Sequence, residues 1–437
     1  MTDTRQHNAI TRRLDRLVQR WEYFVSLSEA CICRWSVAEN EVQMIEAFYE
    51  VEQTEAGNTN DIFLKFQTPF NDKNTYADDL LNEFRTYIEE GKEEFKAEGY
   101  NLKKWLPRNT TQKTSTVNVF TQNLIQFLEY LNDFEGNLVV YLSPSKNQNI
   151  RAWQAWLMKA VEHIPPRIKL MIMDLVEAPV FDKLSNNYPT EVITIEPKLD
   201  MDDAYTELAA QGNADDPNVQ FRQLYVAMMQ SASKPDIPLT EQFAQKALRL
   251  AQQHDWLLMQ ATVHMVLGGV YLNAKKRKNA MSEYDESIAL IEQAHEKGNP
   301  LAQQQLVMAF LSKGMVLFLQ KKYSNAATTY ETAAQTAETT NNDYLAMDAW
   351  RMAGHCHVKS RDKQQAITCH HKAIDSAKKL DEATLKGSTL PFAAKELMKI
   401  SNYDTADNIN QEVTVLIGEN WQDLANVRKA KKRAQEH

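Results

Sequence analysis

The sequence is poor in the residues that interrupt helices. It contains 12 Gly and 13 Pro among 437 residues, and both types are unfavourable inside a helix. This scarcity favours a protein that is built mainly of helices. A chain of this length is sufficient for two or three domains.

Cysteine is also scarce, and long apolar runs are absent. Four cysteines cannot form the disulfide framework of a secreted scaffold in a chain of this size. Residues 1–14 are polar and charged, without the apolar segment of a secretory signal. The longest apolar runs, such as Leu170 to Met173, are far too short to cross a bilayer. We therefore expect a cytoplasmic protein with reduced thiols.

Positive charge does not predominate. The chain has 49 basic and 58 acidic residues, for a net charge of −9, which argues against general affinity for nucleic acid. Common catalytic patterns are missing too, including Gly-x-Ser-x-Gly, His-Glu-x-x-His and the glycine motif of dinucleotide-binding proteins. We expect no enzymatic activity and no cofactor.

The sequence does contain a pattern that begins at three glycines. In each copy a small residue follows after twelve residues, a ring-bearing residue after sixteen and another small residue after nineteen. The copies are Gly268 with Ala280, Tyr284 and Ser287; Gly314 with Ala326, Tyr330 and Ala333; and Gly354 with Ala366, His370 and Ala373. Small residues allow two antiparallel helices to approach closely, and the ring fills the space beside them. One such pair cannot bury its apolar faces alone, so successive pairs should stack.

This pattern resembles the tetratricopeptide repeat (TPR). The glycines are 46 and 40 residues apart, which is longer than the usual repeat of about 34 residues. Weaker copies begin at Met228 and Ala394. The resemblance implies an α-solenoid of about five helix pairs over residues 218–418. A capping helix with a basic end should follow over residues 419–437, with Trp421, Leu424 and Val427 covering the last repeat.

The N-terminal half has a different pattern. We predict helices over residues 1–56, at about Thr4–Trp35 and Val37–Gln53, and an α/β domain over residues 57–215. Its predicted strands are at 62–66, 138–142, 168–175 and 192–195, and they alternate with helices at about 76–97, 117–134 and 150–163. Strands that alternate with helices are typical of a small, mostly parallel sheet.

The α/β pattern resembles the core of a P-loop nucleoside triphosphatase. A phosphate loop needs glycines so that backbone N–H groups can surround the phosphates. The segment after the strand at 62–66 contains Lys73 and Thr75, but it has no glycine and it carries Pro69 and Phe70. We therefore expect a degenerate domain without a nucleotide site. The alternative is a divergent nucleotide-binding switch that is coupled to a ligand-sensing repeat array.

The TPR resemblance implies that the first helix of each pair lines a groove. The middle of this groove should be apolar and rich in methionine, and its C-terminal end should be cationic. Such a surface suits a peptide or an amphipathic helix with an acidic end. The implied groove residues are Arg222, Tyr225, Met229, Met265, Leu272, Met308, Leu311, Met315, Phe318, Arg351, His355, Val358, Lys359, Lys395, Met398 and Lys399.

The sequence thus favours a non-enzymatic adaptor, chaperone or sensor subunit that binds a protein segment. The family's lysine and asparagine clamp for a C-terminal carboxylate is not reproduced, so binding of heat-shock chaperone tails is not supported. Another interpretation remains open, in which the protein's own N-terminal half or a second copy covers the apolar groove. The protein would then be a structural oligomer.

A cluster of histidines and cysteines lies in the fourth repeat. His357 and His370 could face each other between the two helices, and with Cys356 and Cys369 they could supply zinc ligands. The simpler interpretation is a buried histidine pair in place of two aromatic rings. The spacing matches no zinc-finger rule, so we expect no metal. Cys31 and Cys33, two residues apart in a predicted helix, should be buried small hydrophobes.

Overall fold

The computed structural model describes residues 8–54, 56–97, 116–131, 134–147, 149–234, 236–419 and 421–425. The chain divides into two compact units, Met1–Leu208 and Ala209–His437. Among the described residues, the helices all fall short of the length and apolar character that a membrane crossing requires.

The first unit is built around a parallel sheet of five strands. The strands are β1 Ile32–Val37, β2 Ile62–Phe66, β3 Leu138–Leu142, β4 Ile168–Leu175 and β5 Val192–Ile195. Their order across the sheet is β2-β3-β4-β1-β5, and all neighbours are parallel. All residues of β1 and β3 are buried, as expected for strands that are covered on both faces.

Helices cover both faces of this sheet. They are α1 Ala9–Ser26, α2 Val42–Glu52, α3 Tyr76–Glu90, α4 Lys92–Ala97, α5 Thr116–Tyr130, α6 Ile150–Val161, α7 Asp182–Asn187 and α8 Met201–Ala209, with a 3₁₀ turn at Glu39–Glu41. One apolar layer joins the sheet to α1, α2 and α8. The other joins it to α3, α5 and α6. Both layers are rich in aromatic rings, such as Trp21 against Phe63 and Tyr76 against Trp156.

The four strands predicted from the sequence are confirmed, but the predicted helix at Thr4–Trp35 is wrong beyond Ser26. The helix ends at Ser26, and Ile32–Val37 forms a strand in the interior of the sheet. The apolar residues of this strand happen to continue the spacing of the helix. The charged Arg34 interrupts the apolar run that would otherwise have indicated a buried strand. Cys31 and Cys33 are buried as expected. Cys31 packs in the apolar layer on one face of the sheet and Cys33 in the layer on the other face, instead of on two sides of a helix.

The second unit is a TPR-like array of helix pairs. The pairs are α9 Pro217–Ser233 with α10 Ile237–Gln253, α11 Leu257–Asn273 with α12 Arg277–Glu296, α13 Ala302–Leu319 with α14 Tyr323–Thr339, α15 Asp343–Ser360 with α16 Lys363–Ala377, and α18 Leu390–Ile400 with α19 Tyr403–Ile417. The short helices α17 Glu382–Gly387 and α20 Trp421–Leu424 complete the described elements. Each first helix also contacts the first helix of the next pair, so the pairs stack as the sequence predicts.

The glycine pattern explains the close approach within each pair. A Cβ atom added to Gly268 would lie 2.5 Å from the Tyr284 ring, and one added to Gly314 would lie 2.7 Å from the Tyr330 ring. At Gly354 the corresponding neighbour is His370, at 2.7 Å. In all three pairs, therefore, a ring on the second helix occupies the volume that a glycine on the first helix leaves open.

The turns inside these three pairs share a strained residue. Lys275, Lys321 and Arg361 have φ angles of 60°, 61° and 67°, and each follows its glycine by seven residues. The left-handed conformation ends the first helix, but it is costly for a residue with a Cβ atom. The repeat is thus visible in the backbone as well as in the packing.

The last described residues pack against the array. Trp421 is 1% exposed and joins the apolar cluster of α18 and α19. Leu424 remains 41% exposed. Val427 and the predicted basic end, Arg428 to Arg433, lie outside the described residues.

Candidate partner-binding surface

Helix α13 presents a row of exposed apolar side chains. Leu301, at its N-terminal cap, is 57% exposed, Met308 49%, Met315 40% and Leu319 38%. Their spacings of seven, seven and four residues place them on one face of the helix. The sequence reasoning found Met308 and Met315 but missed Leu301 and Leu319, although the same spacing could have identified both.

Two half-buried side chains flank this row. Leu311 and Phe318, both predicted groove residues, pack against the apolar core of the array. The ring of Phe318 lies against the imidazole of His355 on α15, with ring centroids 5.6 Å apart. One predicted groove residue on α13 therefore contacts another on the next first helix.

The predicted groove residues nearer the start of the array differ in exposure. On α11, Met265 and Leu272 are half-buried and pack against an apolar cluster. On α9, Met229 is 44% exposed, whereas Tyr225 stacks on Phe221 with centroids 6.2 Å apart. Burial raises the pKa of the Tyr225 hydroxyl.

Arg222 on α9 is exposed and makes a local contact. Its guanidinium donates a hydrogen bond to the carbonyl oxygen of Gln211. This contact holds the guanidinium near the residues that precede α9.

Acidic residues reduce the positive charge expected at the C-terminal end of the groove. Arg351 donates two hydrogen bonds to Asp348, at 3.0 and 2.8 Å. The same carboxylate accepts a hydrogen bond of 2.7 Å from Thr389. The predicted residues Lys359 and Lys399 are exposed, while Val358, Lys395 and Met398 are half-buried. This end of the surface therefore carries charges of both signs.

Glu396 on α18 is the most notable acid that sequence reasoning missed. Its oxygens lie 2.9 and 3.0 Å from Nδ1 of His355 and 3.4 Å from Nε2 of His370. Burial acts to raise the pKa of the carboxyl group, but the two histidines outweigh it and lower the pKa to about 2. Glu396 is therefore ionised at neutral pH, and it joins α15, α16 and α18.

The histidines of the fourth repeat contact different carboxylates. His357 lies 2.7 Å from Glu331 on α14, whereas His370 packs beneath Gly354 and faces Glu396. The expected contact of the two imidazoles is replaced by these two acidic contacts. Cys356 is fully buried, and Cys369 donates to Glu331 over 3.6 Å.

The two thiols of this repeat are poorly reactive. Burial, with Glu396 as a smaller cause, raises the pKa of the Cys356 thiol to about 12. Burial and the nearby Glu331 raise the pKa of the Cys369 thiol to about 12 as well. Because the thiolate is the nucleophile, neither group is suited to nucleophilic attack in the metal-free protein.

In the first unit, carboxylates occupy the loops where a phosphate could have been held. The backbone N–H groups of Gln67 and Thr68, after β2, donate to Glu83 at 2.9 Å each. After β1, Glu41 accepts from the N–H groups of Ala38 and Leu199. These amide groups are thus already bonded to an anion that the chain supplies.

Asp174, at the end of β4, has structural partners. It accepts hydrogen bonds from Arg34 at 2.7 and 3.0 Å and from the backbone N–H groups of Val180 and Phe181. The Arg34 and Asp174 side chains are 5% and 2% exposed. Asp174 is therefore engaged in a buried ion pair.

Comparisons with known proteins are limited to distant structures. No protein-family model matches the sequence, and no curated protein matches it significantly. Among solved structures, BtubC (BKLC) from P. vanneervenii is 16% identical with a TM-score of 0.40, covering 54% of this chain and 91% of that chain. The apo form of RapI is 11% identical with a TM-score of 0.42, covering 83% and 87%.

A third structure is a Rap protein complexed with Competence and Sporulation Factor. It is 12% identical with a TM-score of 0.34, covering 98% of this chain and 99% of that chain. TM-scores below 0.5 are too low to transfer a ligand or a role. The resemblance of the first unit to a nucleoside triphosphatase is not confirmed.

Proposed function

We propose that this protein is a non-enzymatic adaptor or sensor subunit that binds a peptide or an amphipathic helix on its repeat array. The row Leu301, Met308, Met315 and Leu319 supports this proposal most directly. Four large apolar side chains stay exposed on one face of α13, although burial of each such side chain stabilises a protein by about 1.5–3 kcal/mol. A surface of this kind is typical of an interaction site.

The chemistry of the surface indicates what it would bind. Methionine side chains are flexible and polarizable, so they adapt to different apolar partners. An amphipathic helix with anchors at spacings of three, four and seven residues matches the row on α13. The exposed Lys359 and Lys399 would attract acidic groups at one end of the partner, while Glu396 and Asp348 would repel them locally.

A peptide-display selection tests the proposal. The full-length protein is used to select helix-forming peptides, and each selected peptide is measured by fluorescence anisotropy against Met308→Glu/Met315→Glu. Both side chains are exposed, so the double variant should fold normally and weaken binding at least about tenfold, because two buried charges oppose an apolar contact.

The matched control carries two acids at the same spacing on the second helix of the same pair. Thr328 and Gln335 on α14 are exposed, so Thr328→Glu/Gln335→Glu adds the same charge elsewhere and should leave binding unchanged. Equal binding by all three proteins would contradict the proposal. Light scattering of the same proteins tests the alternative oligomer: a dimer that dissociates only in the α13 variant would identify a second copy as the occupant.

A further inference from the structure

We propose that Glu331, His357 and Cys369 form a binding site for a divalent transition metal, with Zn²⁺ the best match. These residues lie on three successive helices, α14, α15 and α16. One potential ligand atom from each residue falls within 4.8 Å of the others. This inference is independent of the proposed peptide surface.

The distances are close to those of a metal site. Oε1 of Glu331 lies 2.7 Å from Nε2 of His357 and 3.6 Å from Sγ of Cys369. In a tetrahedral zinc site with bonds of about 2.0–2.3 Å, neighbouring ligand atoms are roughly 3.3–3.7 Å apart. The thiol and carboxylate are already at this separation. The imidazole and the carboxylate must move apart by less than about 1 Å, and the imidazole and the thiol lie within 4.8 Å of each other.

Burial differs among the three groups in a way that suits entry of an ion. Cys369 is 2% exposed, whereas the side chains of His357 and Glu331 are 12% and 28% exposed. The thiol therefore lies at the base of the cluster, and the carboxylate lies towards solvent. An ion can approach from the side of Glu331, and a water molecule can fill the fourth position.

A fourth residue is placed to orient the imidazole. Oδ2 of Asp362 lies 4.0 Å from Nδ1 of His357. This separation is longer than a hydrogen bond, but a shift of about 1 Å would let the carboxylate accept from Nδ1, which favours the tautomer that leaves Nε2 free for the metal. Asp362 is itself held at the start of α16, where it accepts a hydrogen bond from the backbone N–H of Gln365.

The types of ligand decide the class of metal. A thiolate with an imidazole and a carboxylate suits zinc and similar ions, whereas magnesium and calcium prefer oxygen ligands alone. On binding, Cys369 would release its proton to water and form a sulfur–metal bond. The bound ion would join the third helix pair to the fourth, because Glu331 belongs to one pair and the other ligands to the next.

Cobalt(II) provides a direct test, because a thiolate–cobalt bond gives a charge-transfer absorption that carboxylate and imidazole ligands do not. The purified full-length protein is stripped with a chelator, titrated with CoCl₂ and then with ZnCl₂. We expect one Co²⁺ per chain, a thiolate absorption band, and loss of that band when zinc displaces cobalt. Cys369→Ser should abolish the band, and Asp362→Asn should weaken binding by about tenfold or more.

Cys356→Ser is the matched control, since Cys356 is a buried thiol in the same repeat and is not part of the cluster. It should keep the band. His355→Gln should keep it too, which separates this site from the pair formed with Glu396. If Cys369→Ser does not fold, Glu331→Gln at the more exposed position decides, with an expected loss of at least tenfold in affinity. A wild-type protein without the band, or a band that survives in both Cys369→Ser and Glu331→Gln, would overturn the proposal.

Discussion

The two units differ in the polar and apolar groups that bear on ligand binding. In the first unit, carboxylates of Glu41, Glu83 and Asp174 accept hydrogen bonds from the backbone of loops near the ends of strands. In the second unit, large apolar side chains such as Met308 and Met315 remain exposed. The first unit bonds these backbone groups internally, whereas the second exposes a row of apolar side chains that we propose a partner covers.

The internal hydrogen bonds of the first unit bear mainly on its stability, and the exposed row of the second unit bears mainly on binding. Loops whose N–H groups are already bonded to the protein's own acids have little capacity left for an anionic ligand. An exposed apolar row contributes little to folding and is available for binding. We therefore expect substitutions in the first unit to act mainly on stability, and substitutions on α13 to act mainly on association.

The largest expected effect follows from breaking the buried ion pair of the first unit. Asp174→Ala removes the buried partner of Arg34 and leaves it only the exposed carboxylate of Asp182, and loss of one partner from a buried ion pair costs about 3–5 kcal/mol. Hydrogen exchange measured by mass spectrometry should show a correspondingly lower free energy of opening in β1 and β4. The exposed pair of Asp255 and Lys297 in the second unit provides the contrast, and Lys297→Ala should change stability by less than about 1 kcal/mol. Equal losses would contradict the comparison.

The next effect concerns two adjacent glycines on α11. A Cβ atom at Gly268 would lie 2.5 Å from the Tyr284 ring, whereas at Gly269 the nearest atom is 3.9 Å away. Gly268→Ala should therefore destabilise the array by about 1–3 kcal/mol through overpacking. Gly269→Ala should stabilise it by up to about 1 kcal/mol, because alanine favours the helix. Urea unfolding followed by circular dichroism measures the change in the free energy of unfolding for both variants. A change of the same sign in both would show that the glycine pattern does not set the helix packing.

A third prediction concerns Glu396, the acid on α18 that contacts histidines on α15 and α16. The pKa of Glu396 is lowered to about 2 in the folded protein, below its usual value of about 4.3 in an unfolded chain. The carboxylate therefore stabilises the array above about pH 4.3, and this contribution is lost as the pH falls towards 2. In that window the stability of the wild type should fall more steeply than that of Glu396→Gln, by up to about 1.4 kcal/mol per pH unit. Parallel pH profiles in urea unfolding would contradict the assignment.

The smallest effect concerns the turn between α13 and α14. Lys321 has a φ angle of 61°, which glycine adopts without strain. Lys321→Gly should therefore raise the free energy of unfolding by up to about 1 kcal/mol. Gln320, which precedes it at the end of α13, has a φ angle of −79°, so Gln320→Gly should lower stability instead. Thermal unfolding of the two variants compares them, and a loss of stability in Lys321→Gly would show that the lysine makes a compensating contact.

The sequence was sufficient to predict the features that repeat or that depend on local chemistry. The apolar runs at 138–142 and 168–175 are strands because each is short and continuous, and the glycine spacing predicted which rings would meet which helices. Ile32–Val37 was missed because its charged residue, Arg34, is neutralised by Asp174, which lies 140 residues away. Such long-range pairing leaves no signal in the local pattern.

The same limit applies to the candidate surface. The methionines on α13 were found by carrying over the positions of a repeat family. Glu331 and Glu396 were missed because each meets its histidine partner from a different repeat, 26 and 41 residues away. The charge of the candidate surface therefore depends on contacts between repeats, whereas its apolar row lies on one helix.

Two histidines on α15 point to opposite neighbours: His355 reaches forward to Glu396 on α18, and His357 reaches back to Glu331 on α14. This single helix is consequently tied to the repeat before it and to the repeat after it by separate polar contacts. Stability in stacked repeats is largely a sum over adjacent interfaces. Loss of one of these polar contacts should therefore weaken the interface with one neighbouring repeat and leave the other interface unchanged. Mechanical stretching from the C-terminal end should accordingly detach α18 and α19 first and give a distinct later step when α14 separates from α15.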